Sequence, residues 1–147
     1  MSTENVELVL SLQLGARQDA ATLASDPDAT AAYLESVARA LDPDFECTMR
    51  FPGLSPVVYR GGLHALRSAW TDRLRHWSEY RAEIEGVIDA DSRIVVFHRA
   101  HVRRTPSAPE SVLEVAGVWT VREGRLVSAD FNVPHVEARA IAYSTAA

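Results

Sequence analysis

The sequence predicts an α+β fold in which a curved, mostly antiparallel sheet wraps around a pocket and three helices pack against it, an α+β cone barrel. Two observations lead there. Ahead of the closing stretch, apolar residues recur at helical spacing only before about residue 78, whereas residues 81–133 read as four strands in succession, without the regular strand-helix alternation of a doubly wound sheet. The second observation is the segment 93–104, RIVVFHRAHVRR, a central strand by its Ile, two Val and Phe and by the turn-like Asp89-Ala90-Asp91-Ser92 before it. Strand side chains alternate between faces, so Val95, Phe97, Arg99 and His101 share one face and Ile94, Val96, His98, Ala100 and Val102 the other. The first set begins apolar and ends in a guanidinium and an imidazole, as the floor of a ligand pocket would. The second is small and aliphatic and has to be covered by something else.

The elements follow in order. Residues 4–16 place Val6, Leu8, Val9, Leu12 and Ala16 at helical spacing, widened by Leu10 and Leu14, and predict a first, largely buried helix. Residues 20–24 either extend it or form a short turn. Ser25-Asp26-Pro27 supplies a cap and a proline at a first helical position, opening a second helix with Tyr33, Leu34, Val37, Ala38 and Leu41 on one side. Asp42-Pro43-Asp44 ends it, because the residue before proline is pushed out of the helical region. In the strand 45–51, Phe45, Cys47, Met49 and Phe51 share one face and Glu46, Thr48 and Arg50 the other. Residues 52–60 form a loop suited to rim a pocket, ending at Gly61-Gly62. A third helix, 63–78, carries Leu63, Leu66, Trp70, Leu74 and Trp77 on one stripe, with Arg67, Asp72, Arg73 and Arg75 outside or flanking it. Strands 81–88, 93–104, 112–122 and 126–133 complete the sheet, the last two joined by a tight turn at Glu123-Gly124, and a tail helix spans 135–142.

Composition narrows the function. With 147 residues, 47% of them hydrophobic, residues 1–147 make one domain with a sizeable core. A formal charge of -5 without a basic run gives no footprint for nucleic acid or an anionic membrane. Cys47 is the only cysteine, so no intrachain disulfide forms, and the polar start MSTENVE holds no apolar signal core; a cytoplasmic protein is expected. No lysine occurs, which excludes Schiff-base chemistry on a protein amine and a lysine-bearing phosphate loop. His98 and His101, three apart on a strand, face opposite ways, so neither a metal nor any other cofactor is expected.

The candidate chemistry lies on the strand 93–104. Arg99 and His101 are expected to point into the cone, where a guanidinium grips a carboxylate or enolate oxygen and an imidazole moves a proton. The plainer alternative puts them at a wet end, paired with a carboxylate such as Glu83 or Glu85. Asp130 joins His101 if a bulge turns it inward; strict alternation leaves it outside with Ser128 and Asn132. Met49, Tyr59, Trp70, Phe97, Trp119 and Phe131 form either an aromatic cage for a flat apolar ligand or ordinary core. Cys47 has no neighbouring base and reads as an inert thiol.

Three features then coincide in order: LDPDFE entering a strand, YRG leading into an ALRSAW helix, and VWTVREGRLVSADF as a closing hairpin. Together they resemble the SnoaL-like polyketide cyclase family of the nuclear transport factor 2-like superfamily. The resemblance covers residues 6–138 and implies a deep pocket in a curved sheet, usually in a homodimer. It places Phe51 and Gly117 where related ketosteroid isomerases hold their base aspartate and acidic hydrogen-bond donor, and Phe131 where SnoaL-type cyclases and epoxide hydrolases hold a working aspartate. Two functions stay open: a cofactor-free cyclase, isomerase or hydrolase of an apolar polyketide-like or terpenoid-like compound, or a non-catalytic ligand-binding or dimeric interaction domain. In either case the ligand site comprises Met49, Phe51, Tyr59, Trp70, Phe97, Gly117, Trp119 and Phe131, and the homodimer forms through an outer sheet face made of Ile94, Val96, Ala100 and Val102.

Overall fold

In the computed structural model, which describes residues 2–15, 17–50 and 53–144, five helices accompany one sheet. Helices α1 (Ser2–Ser11), α2 (Ala20–Ser25) and α3 (Pro27–Val37) precede strand β1 (Leu41–Met49), the short strand β2 (Val57–Arg60) and helix α4 (Leu63–Leu74). Strands β3 (Glu79–Ala90), β4 (Arg93–Arg103), β5 (Ser111–Arg122) and β6 (Arg125–Pro134) follow, and helix α5 (His135–Ser144) closes the described chain. The sheet order is β2-β1-β6-β5-β4-β3. Only the β1–β6 pair is parallel. No helix among the described residues is long and apolar enough to cross a membrane.

Local chemistry sets the helix starts. The Asp26 carboxylate accepts the N–H groups of Asp28 and Ala29 at 3.0 and 3.2 Å, with Pro27 in the first turn, as the sequence predicts. Asp19 caps α2 in the same way and also accepts the Tyr80 N–H at 2.9 Å, which ties the α1–α2 connection to β3. The first helix ends at Ser11 rather than near residue 16, since the chain turns there to reach Asp19. β1 begins at Leu41, so Asp42-Pro43-Asp44 lies inside a bulged strand instead of forming a connection. Residues 57–60, expected as loop, pair with β1.

Bulges curve the sheet: register breaks occur between Ile84 and Gly86 in β3 and twice along the β5–β6 pair. The interior face meets α1, α3 and α4 around Val9, Leu34, Phe45, Leu66, Ile94, Val96 and Leu126, and around Trp70, Tyr80, Ala100 and Val102. α5 covers the outer face, where Ala138 and Ala142 pack on Val95, Phe97, Val118 and Val133.

This arrangement corrects the face assignment of β4. The alternation holds, but Ile94, Val96, Ala100 and Val102 are interior and fully buried, so the apolar surface expected to join two copies does not exist there. Val95 and Phe97 are apolar because α5 lies over them. Arg99 and His101 continue the same outer face past the end of that cover.

Gly62 lies between β2 and α4 and ties the start of that helix to β1. Its N–H donates to the Phe45 carbonyl at 2.9 Å. Its φ of +66° and ψ of -126° fall in a region that glycine alone adopts readily, and a Cβ there would stand 2.5 Å from the Pro43 carbonyl oxygen. Gly62→Ala is therefore expected to lower the unfolding free energy by about 3 kcal/mol, read from urea denaturation; a loss within 0.5 kcal/mol, roughly a surface substitution's, would contradict this account of the α4 start.

Candidate functional site

The interior face encloses a cavity of about 90 Å³ between α3, α4 and strands β1 and β3 to β6. Spacing on α4 turns Trp70 and Arg73 to the same side, since residues three apart share a helix face. Tyr33 stacks on Trp70 at 4.8 Å between ring centroids, and its hydroxyl donates to the Leu12 carbonyl at 2.9 Å. Trp119 meets Phe131 edge to face at 5.2 Å. Gly117 lies opposite a bulge in β6, and a Cβ on it would approach Trp119 Nε1 to 3.1 Å, so its missing side chain makes room for the indole. At the bulge Asn132 takes φ +61°, and its amide donates to the Arg50 carbonyl at 3.2 Å. Exposed Gln18, with Gln13 and Leu14, lies at the rim.

The cavity is electrically unusual. The Arg73 guanidinium sits among three aromatic rings, 5.1 Å from the centroid of Tyr80, 5.8 Å from Phe131 and 6.0 Å from Trp70. Among the described residues no carboxylate lines the cavity and none forms an ion pair with Arg73. Burial, followed by the nearby positive charge of Arg73 and then His135, lowers the His98 pKa to about 4. His135, at the start of α5, points a ring nitrogen at the carbonyls of His98 and Val115, at 3.3 and 3.0 Å. Four buried side-chain nitrogens among the described residues have no hydrogen-bond partner: Trp70 Nε1, Arg73 Nε, His98 Nδ1 and Trp119 Nε1. All four residues line this one cavity.

The residues expected at the site divide. Met49, Trp70, Gly117, Trp119 and Phe131 line the cavity. Tyr59 does not; it packs beside the core and donates to Asp72 Oδ2 at 2.7 Å. Phe97 lies under α5 on the outer face, with the Arg139 guanidinium 5.1 Å from its ring. Phe51 falls outside the described residues. Arg99 is exposed, opposite Glu83 and Glu114 in the strand register. His101 Nε2 meets Glu83 Oε1 at 2.8 Å, the plainer pairing that the sequence left open. Asp130 also faces outward, as strict alternation requires, and binds Arg50 at 3.1 Å while Arg50 holds Glu137 at 2.9 Å. The bulge that would have turned Asp130 inward falls two residues later, at Asn132. Cys47 is buried, and burial pushes its thiol up to about 12, so it is no nucleophile.

Sequence reasoning missed Arg73 and His98. A signal for His98 was present, because a lone histidine on the longer apolar face of a central strand marks the interior. Arg73 sits one turn beyond Trp70, yet arginine on an amphipathic helix ordinarily reaches solvent.

A curved α+β sheet folded over an interior cavity is the architecture of the nuclear transport factor 2-like proteins. The chain belongs to the SnoaL-like domain family, whose profile matches residues 20–129. Among solved structures it is similar over 95% of its length to TerC crystallised with polyporic acid, covering 98% of that chain at 17% identity and a TM-score of 0.64. A protein from Jannaschia sp. CCS1 assigned as a SnoaL-like polyketide cyclase gives a TM-score of 0.65 at 15% identity, covering 97% of this chain and 92% of that one. A nuclear transport factor 2-like protein of unknown function from Burkholderia pseudomallei K96243 gives 0.63 at 19% identity, with 98% of both chains covered. At these identities the likeness is one of fold. No curated protein matches the sequence.

Because His98 is neutral in the fold down to about pH 4 but titrates near 6.5 when unfolded, the unfolded chain binds the extra proton between those values. Stability is therefore lost as pH falls from about 6.5 towards 4. Between pH 7.5 and 4.5 the native protein is expected to lose up to about 2 kcal/mol more than His98→Gln. Urea denaturation of both proteins checks this; equal losses would place His98 in a solvated setting.

Proposed function

We propose that the protein is a cofactor-free enzyme of the cyclase, isomerase or hydrolase kind, acting on a flat, largely apolar small molecule of polyketide-like or terpenoid-like character. His98 transfers the proton and Arg73 stabilises negative charge developing on oxygen. One observation carries this reading: a neutral histidine and an arginine without an ion pair line the same aromatic cavity. A C–H beside a substrate carbonyl gives its proton to the unprotonated nitrogen of His98, and the electron pair moves onto the carbonyl oxygen as an enolate beside Arg73. The enolate then either, where a double bond is conjugated with it, takes the proton back at the far carbon of that dienolate, which is isomerisation, or attacks a second carbonyl of the same molecule. In the second case a carbon–carbon bond closes the ring, and the new alkoxide takes the proton from His98. Membership of the SnoaL-like family and the fold shared with a protein assigned as a polyketide cyclase support a small-molecule role.

The alternative, a non-catalytic ligand-binding domain, is favoured by a different observation: no carboxylate lines the cavity among the described residues, and an imidazole with a pKa near 4 is a weak base. Proton NMR in D₂O with a ring-sized enolisable β-keto acid separates the two. An enzyme should speed exchange of the acidic C–H protons, and His98→Gln should slow that exchange by on the order of 10²- to 10⁴-fold while binding persists. Binding without any exchange would select the alternative. Arg99→Met and His101→Phe, on the outer face, should alter neither quantity.

Two further expectations belong to this reading. With Phe51 and Gly117 at the positions where the resemblance puts the base aspartate and the acidic donor of ketosteroid isomerases, purified protein should not isomerise a 3-oxo-Δ5 steroid, and robust turnover would overturn the residue mapping. A homodimer and a cytoplasmic location are carried by the family resemblance and by the single cysteine. Sedimentation at micromolar concentration tests the assembly, a 16.2 kDa species excluding it.

A further inference from the structure

We propose that the cavity is an anion receptor, in which Arg73 and the indole N–H groups of Trp70 and Trp119 together take the carboxylate or enolate oxygen of a ring-sized, otherwise apolar acid. This rests on the reading of the cavity as a small-molecule site and adds the charge and size of what enters it. Buried donors without acceptors are rare in folded proteins and call for a missing partner. Here the orphan nitrogens are clustered, not scattered: Trp70 and Trp119 are each 6% exposed, their N–H groups are unpaired, and both line the cavity that holds Arg73 Nε. Water would satisfy the indoles but would leave the guanidinium without a counter-charge. The rings around Arg73 supply part of that counter-charge through their π faces. An anionic oxygen would supply both an acceptor and the counter-charge.

Shape narrows the ligand further. The cavity of about 90 Å³ is well below the roughly 300–1,000 Å³ of pockets for drug-sized molecules, and below the roughly 150 Å³ that encloses a benzene ring, so it takes the acid group with part of one ring and the rest of the ligand must extend past the rim. Gly117 belongs to the receptor although it touches no charge. By leaving out a Cβ it lets the Trp119 indole nitrogen lie over the strand, and the Trp119–Phe131 edge contact holds the ring there.

Calorimetric titration with benzoate and with benzamide, its neutral isostere, tests the proposal. Native protein is expected to bind benzoate at least 10-fold more tightly than benzamide. Arg73→Met should weaken benzoate by on the order of 10²-fold and change benzamide by less than about 3-fold. Trp119→Phe, which keeps the ring and removes the N–H, should weaken benzoate by about 5-fold and benzamide hardly at all. Thermal melts supply the folding control, since benzoate should raise the melting temperature of native protein and not that of Arg73→Met. Equal binding of benzoate and benzamide would overturn the receptor while leaving a small-molecule cavity in place, and so would benzoate binding unchanged in Arg73→Met. Binding of neither probe would overturn the receptor together with the cavity's role. Charge selectivity without proton exchange would retain the receptor and remove only the enzymatic reading.

Discussion

Strand β4 is buried on both faces along its first half and on one face along its second, and the placement of the helices follows from that. Ile94 and Val96 need cover from α1, α3 and α4; Val95 and Phe97, one residue out of phase, need cover from the other side. Each such side chain contributes roughly 1.5–3 kcal/mol once buried, so leaving the outer pair wet would cost about 3–6 kcal/mol, a large part of a domain's margin of roughly 5–15 kcal/mol. α5 meets that need by folding back directly from β6. Past Phe97 the outer face is no longer apolar, and the ion pairs of Glu79 with Arg81 and Arg103, and of His101 with Glu83, stand there instead.

The cavity is a consequence of how β5 and β6 fail to run straight. Asn132 in the left-handed region and Gly117 opposite it break the ladder, so that Phe131 still faces inward while Val133 has crossed to the outer core. The break leaves space beside Trp119 that regular alternation would have filled. The amide of Asn132 is committed to the Arg50 carbonyl, and Arg50 in turn grips Asp130 and Glu137 on the outside. Asp130, the carboxylate next to Phe131 in sequence, is thus engaged on the far side of the sheet, between strand and terminal helix.

These same features explain what was legible in the sequence. Periodicity and the absence of strand-helix alternation gave the α+β class, the caps at Asp26 and the turn at Glu123-Gly124, because each depends on local backbone chemistry. The parity of β4 was legible too, but not which parity was inside. A strand covered on both sides carries two apolar faces, and only the tail helix, remote in sequence, decides that Phe97 belongs to the outer one. Trp70, Trp119, Phe131, Met49 and Gly117 were legible as cavity residues because large aromatics seek the interior whatever their role. Arg73 was not, since nothing in local sequence announces a cation that turns inward; its position depends on three rings from three different elements.

The stability of the cavity and its chemistry are therefore opposed. A guanidinium without a counter-ion is unfavourable in a dry site, by several kcal/mol even after relaxation, and the chain lessens that cost in two ways. The aromatic faces of Trp70, Tyr80 and Phe131 surround the charge, and His98 stays neutral, which avoids a second cation beside the first. Both measures leave the positive charge in place. A buried carboxylate would have neutralised it more cheaply, yet none is present among the cavity's described residues. Holding a charge that packing alone would have removed is what the proposed site, whose compensating group arrives from outside, requires.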